Sequence, residues 1–214
     1  MFERTISTYT FGKAFAVTGW RVGYAIGGKD LLAPMSNMTM WMEGGFNRPA
    51  SYALGKGILI AQNEKYEGKN NFFEYLVDMY QGKMEKLEKI LQECSFKFKP
   101  FRPNGGIFMV TDISDHINRI PKKYFYKTGK CEDSAPVKDL KALETPPDFS
   151  SDYAFARWLA HDFSVAPIPV SFFYNNTEAK DPRDFRGANL IRFPICRTDK
   201  DLEKLRENLS KKIE

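Results

Sequence analysis

Two basic residues stand close together near the start of the chain, in Thr10-Phe-Gly-Lys13-Ala-Phe-Ala-Val-Thr18-Gly-Trp-Arg21-Val-Gly23. An amine on a glycine-flanked loop between two strands, with an arginine following at position 21, is unusual for a lysine that is only solvated. Taken alone, a surface lysine is still the commoner reading. A third basic residue, Arg192, is flanked by Leu190, Ile191 and Phe193. These neighbours place it partly buried, where an unpaired charge is costly. A guanidinium forks onto a carboxylate with two parallel hydrogen bonds, so this position suits an acid ligand; the alternative is a surface arginine at a strand end. Gly23-Tyr-Ala-Ile-Gly-Gly28-Lys29-Asp30 has the spacing of a phosphate-binding P-loop, but its last position must be Ser or Thr to hold magnesium. Asp30 would repel phosphate, and the glycine string is rejected as such a site. Cys94, Cys131 and Cys196, with His116 and His161, are too scattered for metal ligation, and no metal is expected.

The charge balance fits small anionic partners. Lys and Arg number 32 against 27 Asp and Glu, a net charge of +5, and the excess is dispersed without blocks of like charge. Neither nucleic acid nor a membrane is an expected partner. The 214 residues are 43% hydrophobic and 14% aromatic, enough for a folded core, and no run reaches the length of a membrane span. Phe2–Thr10 is polar where a secretory signal would be apolar, so Asn37-Met-Thr39, Asn175-Asn-Thr177 and Asn208-Leu-Ser210 read as chance sequons. The odd cysteine count fits a reducing compartment, and the expected location is cytoplasmic, or mitochondrial if an upstream segment exists.

The elements that must position these residues are legible in outline. Residues 5–10 and Arg21–Ile26 read as short strands around the loop Phe11–Trp20. Asp30–Met42 and Pro49–Gln62 read as helices separated by Glu43-Gly-Gly-Phe46, with Pro49 in a first turn. Residues 65–94 carry a helical stripe of Phe73, Val77, Tyr80, Met84, Leu87 and Leu91. Ser95–Lys99 and Gly106–Asp112 read as strands about the turn Pro103-Asn-Gly-Gly106. Residues 116–150 hold no period and read as an exposed insertion, open to motion. A helix is predicted over Ser151–Phe163, with Ser151 or Asp152 as N-cap and Phe155, Trp158 and Leu159 inward. Val165–Tyr174 is interrupted by Pro167 and Pro169, so it cannot be a regular central strand. Asn189–Ile195 is a strand, and Asp199–Lys212 a closing helix with Leu202, Leu205 and Leu209 inward and Lys211 and Lys212 in its last turn. Trp20, Tyr52 and Trp158 are assigned to the core.

Four strings, in order along the chain, resemble the class I pyridoxal-phosphate (PLP) aminotransferases. The Lys13 string is similar to that family's lysine region, with its Thr-Gly-Trp and following basic residue. Pro103-Asn-Gly-Gly106-Ile-Phe108 is similar to its glycine turn and small-domain strand. Val165-Ala-Pro-Ile-Pro169-Val-Ser171-Phe-Phe173-Tyr resembles a segment of the kynurenine aminotransferases, also called glutamine transaminase K or cysteine-conjugate β-lyase. Leu190-Ile-Arg192-Phe is similar to the family's carboxylate-binding Ile-Arg-Phe.

The resemblance implies a fold of the α/β class, with an α+β small domain, the PLP-dependent transferase fold of type I. It implies that Lys13 forms a Schiff base with PLP and carries the proton between substrate carbon and cofactor, jobs suited to a lysine whose burial beside cations lowers its pKa. It implies that Arg21 pairs with the cofactor phosphate, helped by the Thr10 hydroxyl. Thr10 stands where the family usually has Ser, and Arg21 where close relatives often have Lys. Arg192 is implied to bind the substrate α-carboxylate, and Phe46 matches an aromatic presented to a neighbouring subunit's site, although a plain packing role suits it nearly as well. The implied reaction is amino transfer to a 2-oxo acid, of the kynurenine–oxoglutarate/glutamine type, by a homodimer. An aspartate- or alanine-type transaminase and a non-catalytic small-domain remnant are the alternatives. The strings match the C-terminal portion of such enzymes, so the chain reads as a fragment: residues 1–62 a remnant of the large domain, with two strands of its parallel sheet, and 63–214 the connecting helix and small domain. Residues 13–62 are then expected to expose apolar surface, and the isolated chain to be largely inactive.

Overall fold

The computed structural model describes residues 2–143 and 145–211. The chain divides into two compact units, one ending at Asp78 and the other beginning at Met79.

In the first unit, β1 (Ile6–Thr10) and β2 (Gly23–Gly27) pair antiparallel with Thr10 opposite Gly23. They are not the parallel neighbours expected for a piece of a parallel sheet: the short connection between them holds only the 3-10 turn Thr18–Trp20, too short for a parallel crossover. Tyr9 and Tyr24 stack across the pair with centroids 4.9 Å apart. Two helices follow, α1 (Lys29–Glu43) and α2 (Arg48–Asn63). Gly44, at φ 67°, ends α1 in the left-handed conformation, its N–H donating to Met40 O. The Asn47 side chain caps α2 by accepting from Ala50 N–H at 3.1 Å, and Pro49 lies in the first turn as predicted. No residue of α1 is buried, and Trp41 is 90% exposed. Tyr52 and Trp20 are also exposed, against their assignment to the core.

Helix α3 (Phe72–Glu93) begins later than the predicted range 65–94, one residue before the first stripe residue, Phe73. Asn71 Oδ1 accepts from Glu74 N–H at 2.9 Å and sets its start, after a turn in which Gly68 takes φ 78°. Met84, Leu87, Ile90 and Leu91 are buried, but Val77 is exposed, so only the C-terminal half of the stripe enters the core.

The second unit is built on an antiparallel sheet of order β3-β4-β6-β5, with β3 Lys99–Phe101, β4 Phe108–Asp112, β5 Ile168–Pro169 and β6 Leu190–Pro194. Helices α4 (Ser151–Asp162) and α5 (Asp199–Leu209) supply Phe155, Trp158, Leu159, Leu202 and Leu209 to its core. The Thr198/Asp201 capping box starts α5. Lys211 falls beyond the end of α5, and Lys212 lies outside the described residues. Of the strand predicted over Ser95–Lys99, only Lys99 is in one, at the start of β3. Lys97 takes φ 51° and Phe98 N–H donates to Leu91 O, a turn that buries both Phe96 and Phe98. The N-cap of α4 is Ser150, without a side-chain cap bond, rather than Ser151 or Asp152.

Residues 116–150 are not an exposed insertion. Ile120, Tyr124, Phe125, Tyr126 and Val137 are buried in the core. Lys122 N–H donates to Ala135 O at 2.9 Å and Val137 N–H to Ile120 O at 3.0 Å, so the segment closes on itself around short 3-10 turns such as Lys122–Phe125 and Leu140–Ala142.

Candidate active site

The hairpin loop between β1 and β2 carries Thr10, Lys13 and Arg21 together. It is a folded knot rather than an open loop. Phe11 N–H donates to Val22 O at 3.3 Å, Ala16 N–H to Lys13 O at 3.3 Å and Trp20 N–H to Val17 O at 3.0 Å. Gly12 is buried at its centre, where an added Cβ would lie 3.2 Å from Thr10 Oγ1 and 3.3 Å from Thr18 Cα. Phe15 stacks on Phe72 and meets Phe73 edge-on, which ties the loop to the start of α3 within the same unit.

The loop leaves its cationic groups largely uncommitted. Thr10 Oγ1 accepts from Gly12 N–H at 3.1 Å, so its own proton is free to be donated. Arg21, in the left-handed region at φ 56°, spends one Nη1 donor on Thr18 O at 3.2 Å and forms no ion pair among the described residues. The Lys13 ammonium has no hydrogen-bond or ion-pair partner among them. Lys13 is exposed, contrary to the expected burial, because nothing in its own unit covers the outer side of the loop. A phosphate ester wants several convergent donors and positive charge. The unspent guanidinium, the hydroxyl and the amine of this loop fit the phosphate and aldehyde groups of PLP.

Arg192 stands in the second unit. On β6 the buried residues Ile191 and Phe193 alternate with it, so Arg192 lies on the sheet face away from the core, with Val110 and Ile168 as its cross-strand partners. The partial burial expected from its neighbours is observed. The guanidinium is flanked by two rings: its carbon is 3.8 Å from the Phe108 centroid and 4.2 Å from that of Phe173. Nε is buried and has no hydrogen-bond partner among the described residues. An arginine held between two aromatic rings and paired with no carboxylate among the described residues keeps its donor edge for a ligand.

Phe46 sits in the Gly44-Gly45 break at 65% exposure, with the Arg48 guanidinium carbon 6.0 Å from its ring centre. It is not a packing residue of its own unit. Phe108 and Phe173 were not singled out as site residues by sequence. Both lie in strings that were, but nothing there distinguishes Phe173, which faces Arg192, from the adjacent Phe172. No group of His, Cys, Asp and Glu among the described residues could hold a metal ion.

The family described as "Aminotransferase class I and II" matches residues 2–209. The chain belongs to this family. Aminotransferases of this class are PLP-dependent, which agrees with the donor set around Lys13. The kynurenine–oxoglutarate transaminase of Dictyostelium discoideum is 29% identical over 212 residues, covering 99% of this chain and 42% of that protein. Human kynurenine–oxoglutarate transaminase 1 is 26% identical over 212 residues, 99% of this chain and 43% of its own length. Among solved structures, Bna3p from Saccharomyces cerevisiae superposes with a TM-score of 0.73 at 24% identity, covering 98% of this chain and 42% of that one. The N-succinyldiaminopimelate aminotransferase of Mycobacterium tuberculosis does so at 0.67 and 21%, over 98% and 42%. These two likenesses establish the mixed α/β aminotransferase fold. The chain spans about 42% of the length of the relatives it matches, as the resemblance to a C-terminal portion implied.

Proposed function

We propose that this chain is the lysine- and arginine-bearing portion of a PLP-dependent transaminase of the kynurenine–oxoglutarate/glutamine type. Residues 1–62 then belong to the cofactor-binding domain and 63–214 to the connecting helix and small domain of a homodimer. The observation that carries the reading is Arg192, a guanidinium lodged between Phe108 and Phe173 with a buried Nε that has no partner among the described residues.

Arg21 and the Thr10 hydroxyl would hold the cofactor phosphate. Lys13 would hold the cofactor through its amine, and the same amine would move a proton at the substrate α-carbon. Arg192 fixes the α-carboxylate by its in-plane donors and so sets which bond at the α-carbon is addressed. Phe46 reaches the site of the neighbouring subunit. PLP, when bound, supplies the electron sink that makes that carbon acidic.

The exposure of Lys13 bears on activity. A transamination site excludes water, and Lys13 is exposed within its own unit. The isolated chain is therefore expected to turn over poorly. Its assay with PLP, kynurenine and 2-oxoglutarate checks this, with K13A as control. Slow, lysine-dependent transfer or none is the expected result. Rapid turnover would refute the inactive-fragment reading, and turnover unchanged in K13A would refute the role of Lys13. Where transfer is measurable, substitution of aspartate or alanine for kynurenine as donor distinguishes the runner-up specificities.

A further inference from the structure

We propose that Asp152 is a positioning residue for the Arg192 carboxylate site, holding Phe173 against the guanidinium through Ser171. The inference rests on the reading of Arg192 given above and adds a residue that touches neither substrate nor cofactor.

Asp152 has no exposed surface and sits in the first turn of α4, where the helix N-terminus favours a negative charge. A buried carboxylate is tolerated only when its oxygens are hydrogen-bonded. Here Oδ1 accepts from the Ser150 hydroxyl at 2.6 Å, from Tyr153 N–H at 2.9 Å and from the Ser171 hydroxyl at 3.1 Å, and Oδ2 accepts from Ser171 N–H at 2.8 Å. Two of these four bonds reach one distant residue. Asp152 does not cap α4, a role that falls by position to Ser150. What the carboxylate does is fix Ser171.

Ser171 opens the 3-10 turn Ser171–Phe173. The turn lies alongside β6, because Val170 N–H donates to Leu190 O at 3.1 Å and Phe173 N–H to Val170 O at 3.0 Å. Asn176 Nδ2 holds the other side, donating to Ser171 O at 2.9 Å. Phe173 itself is 58% exposed. Core packing therefore does not set the position of its ring, and the backbone of the turn does. The Asp152–Ser171 bonds thus translate into the 4.2 Å contact on Arg192, which keeps the donor edge of the guanidinium in one plane for a carboxylate.

The test uses the chain labelled with 15N and follows the Arg192 Nε–Hε resonance, assigned by its absence in R192K, with 2-oxoglutarate as the carboxylate probe. In the native chain the two rings displace this resonance from that of exposed arginines. In D152N it should move towards the exposed position and affinity for 2-oxoglutarate should fall about tenfold, the scale of one charge-assisted hydrogen bond. S171A, which keeps the backbone bond, should shift the resonance less, and S171T should restore it. If D152N does not fold, S171A against S171T carries the test. Native resonance and affinity in D152N and S171A, with affinity lost in R192K, would overturn the proposal and leave the carboxylate reading standing. Absence of binding by the native chain, or equal binding by R192K, would remove the carboxylate reading and the proposal with it.

Discussion

Arg157 Nη1 donates to the carbonyl oxygen of Tyr126 at 2.6 Å. The same nitrogen donates to Tyr124 O at 2.7 Å, and the guanidinium carbon lies 4.7 Å from the centre of the Phe149 ring. One side chain on α4 thus fastens both ends of the irregular segment between Ile120 and Ser150. R157A leaves two partly buried carbonyls without a charged donor, and should cost about 3 kcal/mol of unfolding free energy. Urea denaturation measures the loss, and limited proteolysis should open new cleavage sites between residues 126 and 148.

Gly187 takes φ 76°, and a Cβ there would lie 2.6 Å from Tyr174 Cε2 and 3.4 Å from Ser171 N. G187A adds backbone strain to a clash that the Tyr174 ring can relieve only by leaving its place under the Arg186 guanidinium. The expected destabilisation is about 1–3 kcal/mol. A double variant G187A/Y174A should recover the part that is due to the clash, and denaturation midpoints of the pair separate the two contributions.

His116 is 8% exposed and meets Phe96 and Phe98 edge-on. Burial, then the positive charge of Arg119, holds its pKa below the ordinary 6.5; Lys99 acts in the same direction, while Asp115 and Asp112 oppose it. The folded state therefore binds this proton less readily than the unfolded chain. The His116 contribution to stability is complete above the unfolded pKa and is lost as pH falls through the depressed folded one. The melting temperature should drop between about pH 7.5 and pH 5, and the drop should be smaller in H116F, which keeps the ring packing and cannot be protonated. An equal drop in both would exclude His116 as the cause.

The residues that could do chemistry were legible because their neighbours were. Arg192 sits in an apolar strand whose alternation fixes its face, and Lys13 in a glycine-flanked loop. Three features were not legible, each for a physical reason. Phe96 and Phe98 alternate with polar residues as a strand would, but Lys97 in the left-handed region buries both by turning the chain. The polar composition of residues 116–150 conceals apolar anchors without a period, whose backbone bonds are satisfied by Arg157 and by one another rather than by a ladder. The rings against Arg192 meet it only through the pairing of β4 with β6 and through the turn at Ser171, which no local pattern encodes.

Arg21 has one intraloop hydrogen bond and no ion pair among the described residues, so its charge is available to a phosphate. R21A should weaken the chain's affinity for PLP by about tenfold or more while leaving its affinity for pyridoxal, which lacks the phosphate, nearly unchanged. Titrations of both compounds against both proteins give the comparison. Equal losses for PLP and pyridoxal would mean that Arg21 shapes the loop rather than binding the phosphate.

The most direct test of the account is where PLP attaches. The purified chain is titrated with PLP, reduced with borohydride, digested and mapped by mass spectrometry, with K13A alongside. The account predicts saturable labelling concentrated at Lys13, and none at that peptide in K13A. Labelling spread over the surface lysines with no preference for Lys13, and total incorporation unchanged in K13A, would contradict it.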